Sequence, residues 1–303
     1  MILAIEWTSA AFHAFLFGDD GTLIAQRQHA RGINHITDGA FEAALREMAG
    51  DWAAQASRVY LAGMITSRNG WVETPYAQAP ASLNDILAKA VTKKVDGLAP
   101  LIFLPGVSVQ HPLPDMMRGE ELKIIGAMAQ GSGLVALPGA HTKWAIVEDG
   151  SIAGFATYMT GEIAALLKAN SLVGRLIPAQ SADNPEAFLR GVKLARNRGI
   201  GGNVLRRIFS ARSMVLFDEL APADISDYLS GLLIGAEIDE VLQEFGQPDK
   251  HVTLIGPAAL CSRYALALHE AGMTSTIVEN AGASAFRTLA LSDRQLQPVA
   301  STA

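Results

Sequence analysis

The residues of this chain that could perform chemistry are concentrated in turns that follow apolar strands. Residues 138–144 read PGAHTKW, in which a proline and a glycine bend the chain beside a histidine and a lysine. A hairpin turn needs the glycine, but it does not need two side chains that can carry positive charge. Such a turn can bind phosphate through its backbone N–H groups when a small residue permits close approach. The pattern therefore favours an anion site here.

Two further turns have the same character. The chain opens with an apolar strand, a small-residue turn at 7–11 and a second apolar strand, and Gly256 joins a later strand to a helix. If the two halves of the chain face each other, we expect the three turns to converge on one cleft that fits a nucleoside triphosphate. No G-x-x-x-x-G-K-[ST] stretch is present, which excludes a P-loop. The pattern alone predicts a duplicated ATPase.

A pair of carboxylates forms the second chemical cluster. Glu120 and Glu121 follow a Pro- and Gly-rich segment and open a predicted helix. Phosphoryl transfer needs a group that orients and deprotonates the attacking hydroxyl, and a carboxylate at a helix start that faces a cleft suits this role. Acids in a first helical turn also complement the helix dipole without any catalytic role. We predict that Glu120 acts on the hydroxyl and that Glu121 is structural, with the opposite assignment left open.

Apolar periodicity divides the chain into two related α/β halves. Each half opens with a β-meander of strand, turn, strand, Asp-Gly turn and strand, at 2–27 and at 134–158. We predict a first lobe at 1–130 that carries the first phosphate loop. The second lobe, at 131–303, carries the second phosphate loop and the adenosine region, and its last helix packs back on the first lobe.

The composition argues against several classes of protein. The chain has 24 Lys and Arg residues against 30 Asp and Glu, a net charge of −6 that disfavours nucleic-acid or anionic-membrane surfaces. The single Cys261 excludes an intrachain disulfide and a Cys-rich zinc site. The N-terminus lacks a signal-peptide pattern, and no apolar run of about 18 residues predicts a membrane span. We predict a cytoplasmic enzyme without nucleic-acid or membrane partners, and we leave a homodimer open.

Five motifs, in order along the chain, resemble the 2-dehydro-3-deoxygalactonokinase family. They are GMITSRNGWVETPY at 63–76, MMRGEELKIIGA at 116–127, PGAHTKW at 138–144, YMTGEI at 158–163 and LSGLLIGAEI at 229–238. The resemblance implies the duplicated actin-like ATPase fold, which is ribonuclease H-like, of the sugar-kinase, Hsp70 and actin superfamily. It also implies that ATP, with Mg²⁺, phosphorylates the 6-hydroxyl of 2-dehydro-3-deoxy-D-galactonate in D-galactonate breakdown.

The resemblance implies roles on the nucleotide side. PGAHTKW looks like the second phosphate loop, and Glu6 matches the family's acid that organises Mg²⁺ and contributes to catalysis. The nucleotide-side residues are Thr8, Ser9, Gly139, Ala140, His141, Lys143, Gly256 and Gly282. His141 and Lys143 are expected to face the phosphates or the substrate.

The implied substrate is a 2-keto acid, whose carboxylate favours a fork of N–H donors. Arg68 and Arg118 are the candidates for this fork, although an arginine in a loop is more often simply solvated. Trp71 could wall a sugar pocket, and Thr160 could equally cap a helix. The predicted substrate-side residues are Arg68, Asn69, Trp71, Arg118, Thr160 and Glu162.

The first turn departs from the family pattern, which reads roughly D-W-G-[ST]-[ST]-N-x-R. This chain carries Glu6, Thr8, Ala10, Ala11 and His13 in place of the aspartate, the glycine, a hydroxyl residue, the asparagine and the arginine, so that Glu6 keeps the carboxylate on a side chain longer by one methylene. A β-branched residue such as Thr8 tolerates positive φ badly. Losing one donor aimed at developing charge costs on the order of 100- to 1000-fold in rate. The alternatives are therefore a catalytically impaired paralogue that senses a 2-keto-3-deoxy sugar acid, or a kinase for a related sugar acid or with a different phosphoryl donor.

Overall fold

The computed structural model of the chain describes residues 1–128, 131–180, 182–200, 202–246, 248–279 and 281–295. Its contacts divide the chain into two compact units. The first unit comprises Met1–Ser132, Val147–Phe155 and the C-terminal helix, and the second comprises Gly133–Ile146 and Ala156–Glu279. The chain thus passes from the first unit to the second after Ser132, near the predicted boundary at 130. The hairpin tip at Val147–Phe155 belongs to the first unit again, and the chain returns to that unit after Glu279 for its last helix.

The strands of the described residues fall into three sheets. They are β1 Ile2–Trp7, β2 Phe12–Phe17, β3 Leu23–His29, β4 Arg58–Ala62, β5 Ala77–Gln78, β6 Val91–Lys93, β7 Leu101–Phe103, β8 Val107–Val109, β9 Asp115–Met117, β10 Gly133–Leu137, β11 Thr142–Glu148, β12 Ser151–Tyr158, β13 His251–Ile255 and β14 Thr274–Val278. The sheet orders are β3-β2-β1-β4-β7-β6, β12-β11-β10-β13-β14 and β5-β8-β9.

The α-helices are mostly short in the first unit and longer in the second. They are α1 Phe41–Ala49, α2 Trp52–Gln55, α3 Leu83–Ala88, α4 Glu120–Ala127, α5 Thr160–Asn170, α6 Pro185–Arg196, α7 Val204–Ile208, α8 Ser210–Leu216, α9 Ile225–Glu244, α10 Ala258–Glu270 and α11 Ala281–Gln295. Short 3-10 turns lie at Ile33–His35, Met64–Thr66, Gly174–Leu176, Pro222–Asp224 and Pro248–Lys250. No helix of the described residues is both long and apolar enough to cross a membrane.

The larger sheet of the first unit is covered on both faces. Strand β1 is antiparallel to β2 and parallel to β4, so it lies inside the sheet. Its apolar run is continuous because both of its faces are buried. Leu3 and Ile5 pack into a cluster with α1, whereas Ile2 and Ala4 pack into a cluster with α11. Period-2 alternation puts Glu6 on the same face as Ile2 and Ala4.

The second unit repeats this arrangement. Its order β12-β11-β10-β13-β14 matches β3-β2-β1-β4-β7, with a meander followed by parallel strands. Leu134 and Ala136 of β10 pack with residues of α6, α9 and α10. Helices α6 and α9 cross closely, since a Cβ atom at Gly231 would overlap the carbonyl oxygen of Phe188. The duplication predicted from the two meanders is confirmed.

Candidate functional site

The first unit presents a carboxylate surrounded by backbone and one lysine. Glu6, near the end of β1, is 8% exposed. Its Oε1 lies 2.5 Å from the Nζ of Lys123 on α4. A Cβ atom built on Gly119 would lie 3.9 Å from Oε1, and one built on Gly282 would lie 3.7 Å from Oε2. The predicted metal ligand Glu6 and the predicted nucleotide-side Gly282 therefore lie together in this unit.

The start of α4 is fixed by two glycines. Gly119 has a φ of 108°, and a Cβ atom on it would lie 3.3 Å from the Cα of Gly63, whose φ is 87°. Side chains are disfavoured at both positions because this conformation is strained for L-residues. Glu120 Oε2 accepts the N–H of Arg118 at 3.0 Å, and Glu121 Oε2 accepts the N–H of Gly119 at 2.7 Å. The two carboxyls thus cap their own helix start.

These neighbouring acids have different environments. Glu121 is fully buried, and its Oε1 has no hydrogen-bond partner in the described part of the protein. Burial, assisted by the nearby charge of Glu120, raises the pKa of Glu121 to about 8. Glu121 is therefore mainly protonated at neutral pH, whereas Glu120 is only partly buried. Of the two, Glu120 can reach a ligand.

Arg118 points into the unit. Its Nη1 donates to the carbonyl and hydroxyl oxygens of Thr66 and to the hydroxyl of Thr74, each at 2.7 Å. Its guanidinium lies over the ring of Tyr76, with 4.3 Å to the centroid. The guanidinium of Arg118, which was predicted to bind a substrate carboxylate, instead ties the start of α4 to the segment after β4.

The other predicted substrate-side residues of this unit divide into two groups. Arg68, whose side chain is 87% exposed, lies 3.9 Å from Glu73, and Asn69 is exposed beside it. Trp71 packs with the core, stacked on Phe41 at a centroid distance of 6.3 Å. The structure therefore brings Arg68 and Asn69 to the surface and uses Trp71 in packing.

The turn between β1 and β2 uses its own N–H groups. Thr8 Oγ1 accepts from the N–H groups of Ala10 and Ala11 at 3.3 and 3.0 Å, and the N–H of Thr8 donates to the carbonyl of Ala11 at 2.8 Å. Gly32 packs directly beneath Ser9 and Ala10. Thr8 does not adopt a positive φ. The predicted backbone penalty at this position is wrong, because the threonine hydroxyl caps the turn without a left-handed conformation.

The turn between β10 and β11 is held differently. A Cβ atom on Gly161, in the first turn of α5, would overlap the carbonyl oxygen of Gly139 and lie 2.8 Å from the Cα of Ala140. The N–H of Glu162 donates to the carbonyl of Ala140 at 3.0 Å, and the Glu162 carboxylate pairs with His141 Nε2. Within the described residues, the N–H groups of Ala140 and His141 donate to no protein acceptor. This turn presents two open donors.

Lys143 and Thr160 lie beneath that turn. Lys143 is buried on β11, where its Nζ donates to the hydroxyl of Thr157 at 2.6 Å. Thr160 is also buried, and its hydroxyl bonds to the carboxyl of Glu237 on α9. Both residues were predicted to contact ligand, and the structure puts both of their side chains in the interior of the second unit.

Glu237 accepts two further hydrogen bonds. Trp144 Nε1 donates to its Oε1 at 2.6 Å, and the hydroxyl of Tyr264 donates to its Oε2 at 3.0 Å. Burial raises the pKa of this carboxyl to about 7, and the bonds from Thr160, Trp144 and Tyr264 oppose the rise because they favour the charged form.

The turn after β13 lies beside the turn after β10. A Cβ atom on Gly256 would lie 3.3 Å from the carbonyl oxygen of Pro138 and 3.5 Å from the Sγ of Cys261. Strands β10 and β13 are parallel, so their C-terminal turns share one sheet edge. The thiol of Cys261 is buried, and burial raises its pKa.

Helices α6 and α10 border a cavity of about 370 Å³ in the second unit. Its lining is largely apolar and includes Phe188 and Leu260. Asn184 and Arg263 add polar groups, and the guanidinium of Arg263 lies over the ring of Phe188, 4.7 Å from its centroid.

Sequence reasoning did not assign the observed roles of three contributors to these sites: it did not single out Lys123, it considered Gly161 only as a helix cap, and it interpreted Glu237 as helix packing or as a wall of the adenine site. Lys123 pairs with Glu6, Gly161 supports the second turn, and Glu237 joins three side-chain donors. The only available signals were the spacing of Lys123 three residues after Glu120 and the glycine within the motif at 158–163.

Mg²⁺ fits the first unit only if phosphate oxygens of a bound ligand supply part of its coordination. No group of three or more His, Cys, Asp and Glu side chains among the described residues could hold a metal. Glu6 supplies one carboxylate, already paired with Lys123 at 2.5 Å. Mg²⁺ commonly binds one or two carboxylates together with waters and substrate phosphates. Glu6 fits that pattern, with Lys123 as a competing cation.

Comparisons with known proteins agree over nearly the whole chain. A family model described as 2-keto-3-deoxy-galactonokinase matches residues 6–290. A 2-dehydro-3-deoxygalactonokinase of Escherichia coli K12 is 33% identical over 287 residues, which is 94% of each chain. A crystal structure from Sinorhizobium meliloti, of a protein described as a 2-dehydro-3-deoxygalactonokinase, is 30% identical with a TM-score of 0.84, and covers 99% of this chain and 100% of its own.

A more distant structure bears on the fold alone. Component A of (R)-2-hydroxyglutaryl-CoA dehydratase from Acidaminococcus fermentans is 14% identical with a TM-score of 0.51, and covers 96% of this chain and 98% of its own. The match extends over both β-meander halves. The predicted duplicated actin-like ATPase fold is confirmed.

Proposed function

This chain belongs to the 2-keto-3-deoxy-galactonokinase family, and we propose that it transfers the γ-phosphoryl group of ATP to the 6-hydroxyl of 2-dehydro-3-deoxy-D-galactonate. In this reaction the bond between the γ-phosphorus and the bridging oxygen of ATP breaks, and a bond to the sugar-acid oxygen forms. The hydroxyl proton must leave to a base. The products are ADP and the 6-phosphorylated sugar acid.

The contrast between Glu120 and Glu121 carries the proposal. A general base must be ionised and within reach of the proton that it accepts. Glu121 fails on both counts, because it is fully buried and its pKa is raised to about 8. Glu120 is partly exposed and is held by the N–H of Arg118 at 3.0 Å. We therefore assign the base to Glu120 and a structural role to Glu121.

The remaining ligand groups are assigned to each unit separately. In the second unit, the open N–H groups of Ala140 and His141 suit phosphate oxygens, and the cavity between α6 and α10 suits the purine. In the first unit, Arg68 is the exposed guanidinium for the keto-acid carboxylate. Mg²⁺ bound with ATP would be held by Glu6 and would offset phosphate charge.

Two earlier predictions remain predictions. The first is the cytoplasmic location, which is consistent with ATP as the phosphoryl donor. The second is the homodimer, which rests on the sequence prediction alone. Neither affects the chemistry assigned to the described residues.

A coupled ADP-release assay with MgATP and 2-dehydro-3-deoxy-D-galactonate tests the function. Wild-type turnover of roughly 1 to 1000 per second is expected. Glu120→Gln should lower kcat by about 100-fold or more, with the KM for the sugar acid little changed. Glu42→Gln is the matched control, because Glu42 also lies in a first helical turn but pairs with Arg46 at the surface.

Two results would contradict these assignments. Wild-type kcat in Glu120→Gln would remove Glu120 as the base. Tight calorimetric binding of the sugar acid, with neither ATP binding nor ADP release, would identify the chain as the catalytically impaired paralogue.

A further inference from the structure

Glu237 lies at a junction of the second unit that the proposed chemistry does not use. It is 3% exposed in the middle of α9, and its carboxyl receives hydrogen bonds from β11, α5 and α10, through Trp144, Thr160 and Tyr264. Burying a carboxylate is costly unless hydrogen bonds compensate it. Four elements of the second unit are thereby joined at one side chain.

One arm of this junction reaches the turn between β10 and β11. The hydroxyl of Tyr264 lies 3.0 Å from Thr142 Oγ1, which lies 3.4 Å from the N–H of Gly139. An ionised carboxylate can only accept, so Tyr264 must donate to Glu237 and its oxygen must accept from Thr142. The oxygen of Thr142 is then left to accept the Gly139 N–H. Every donor in this arm points toward Glu237.

The other arm reaches the same turn from below. Thr160 opens α5, and the next residue, Gly161, packs against Gly139 and Ala140. The N–H of Glu162 then donates to the carbonyl of Ala140 at 3.0 Å. Since the Thr160 hydroxyl is bonded to Glu237, the carboxyl fixes the start of α5 as well as the hydroxyl of Thr142.

We propose that Glu237 is a positioning residue for phosphate binding: through Tyr264–Thr142 and through Thr160, it holds the 138–142 turn in the conformation that presents the Ala140 and His141 N–H groups to ATP. The proposal rests on the proposed function, because it concerns how the ATP phosphates are held. Glu237 itself does not contact the nucleotide. Its effect is on ATP binding and not on the sugar acid.

An amide at this position reverses the first arm. In Glu237→Gln the shape is kept, but the NH₂ group can face Tyr264, which must then accept. Tyr264 would donate to Thr142, and the Thr142 proton would turn from Tyr264 to the carbonyl of Gly139, 3.4 Å away. The variant would thus change the hydrogen bonding of Thr142 to Gly139 without losing side-chain volume.

The experiment measures the KM for ATP and the KM for the sugar acid at pH 8, where Glu237 is mainly ionised. For Glu237→Gln and for Thr142→Val we expect the KM for ATP to rise roughly tenfold, with the KM for the sugar acid unchanged within about twofold. Calorimetry with a non-hydrolysable ATP analogue should show the same loss without turnover. Thr142→Ser, which keeps the hydroxyl, should restore wild-type binding.

A double-mutant cycle provides the second test. If Glu237 acts through Thr142, the combined Glu237→Gln and Thr142→Val variant should bind ATP no more weakly than either single variant. Fully additive losses would overturn the proposal. Equal rises in both KM values, or an unchanged KM for ATP in Glu237→Gln, would also overturn it. A wild-type protein that neither binds the analogue nor releases ADP would instead refute the proposed function.

Discussion

The turns at 8–11 and 138–142 occupy equivalent places in the two units, yet their backbone N–H groups have different partners. In the first turn, the N–H groups of Ala10 and Ala11 donate to the hydroxyl of Thr8. In the second turn, those of Ala140 and His141 meet no protein acceptor among the described residues. One side chain at the start of a turn thus decides whether its amides can serve a ligand.

The two turns share their means of support. Gly32 lies under Ser9 and Ala10, and Gly161 lies under Gly139 and Ala140, each so close that a Cβ atom would overlap the turn. Each turn therefore rests on one closely packed glycine, here called its brace. What differs is the availability of the donors above the brace.

The largest expected effect comes from removing the brace of the second turn. In Gly161→Ala the new methyl group would meet backbone at Gly139, so the turn must move. We expect kcat/KM for ATP to fall on the order of 100-fold, since displaced donors no longer meet the phosphates. Steady-state kinetics with varied ATP measure it.

Gly199→Ala is the control for that variant, because the nearest atom to its methyl group is a flexible Asn197 side-chain oxygen at 3.2 Å. It should retain wild-type kinetics. Wild-type kcat/KM in Gly161→Ala would show that the brace does not set the donors, and the contrast between the turns would lose its functional meaning.

A smaller effect is expected from freeing the donors of the first turn. Thr8→Ala removes the hydroxyl that accepts from Ala10 and Ala11, so we expect the KM for ATP to fall roughly fivefold. Thr8→Ser keeps the acceptor and should match the wild type. A raised KM in Thr8→Ala would mean that the cap preorganises the turn for phosphate, which reverses our interpretation of the difference.

The smallest effect concerns the buried glutamates, one in each unit. Glu121 has a pKa of about 8 in the folded protein, against 4.5 as the ordinary value, so folding takes up a proton above pH 4.5. Its contribution therefore destabilises the fold progressively as pH rises from about 4.5 to about 8. The contribution of Glu237 destabilises the fold in the same way as pH rises, but only up to about pH 7.

Thermal unfolding of Glu121→Gln and wild type between pH 5 and pH 8 measures this contribution. The melting temperature of the variant minus that of wild type should increase with pH, and it should still increase between pH 7 and pH 8. A change of 1 kcal/mol in the free energy of unfolding shifts the melting temperature by roughly 2 to 4 °C. Glu120→Gln removes a charge that helps to raise the pKa of Glu121, so its melting temperature should fall less steeply with pH than that of wild type. A flat difference for Glu121→Gln would mean that Glu121 is ionised in the folded state.

The features that the sequence predicted are those with a local signal. Continuous apolar runs located β1 and β10, Asp-Gly dipeptides located the hairpins, and the acids at 120 and 121 located the start of α4. Each of these patterns is read within one turn or one strand.

The features that could not be predicted depend on distant partners. Arg118 looked like a carboxylate ligand, but its partners Thr66 and Thr74 lie 52 and 44 residues away. Glu237 and Trp144 are separated by 93 residues. Whether a polar side chain faces solvent or another buried group is decided by tertiary packing, which a single sequence does not report.

The burial of Cys261 gives the protein an intrinsic probe of its own motions. It is the only cysteine of the chain, and it lies under the Gly256 turn with its thiol shielded. A thiol reagent can react with it only when α10 and that turn open, so the labelling rate measures the free energy of this local opening. No introduced label is required, and the signal comes from one known place in the second unit.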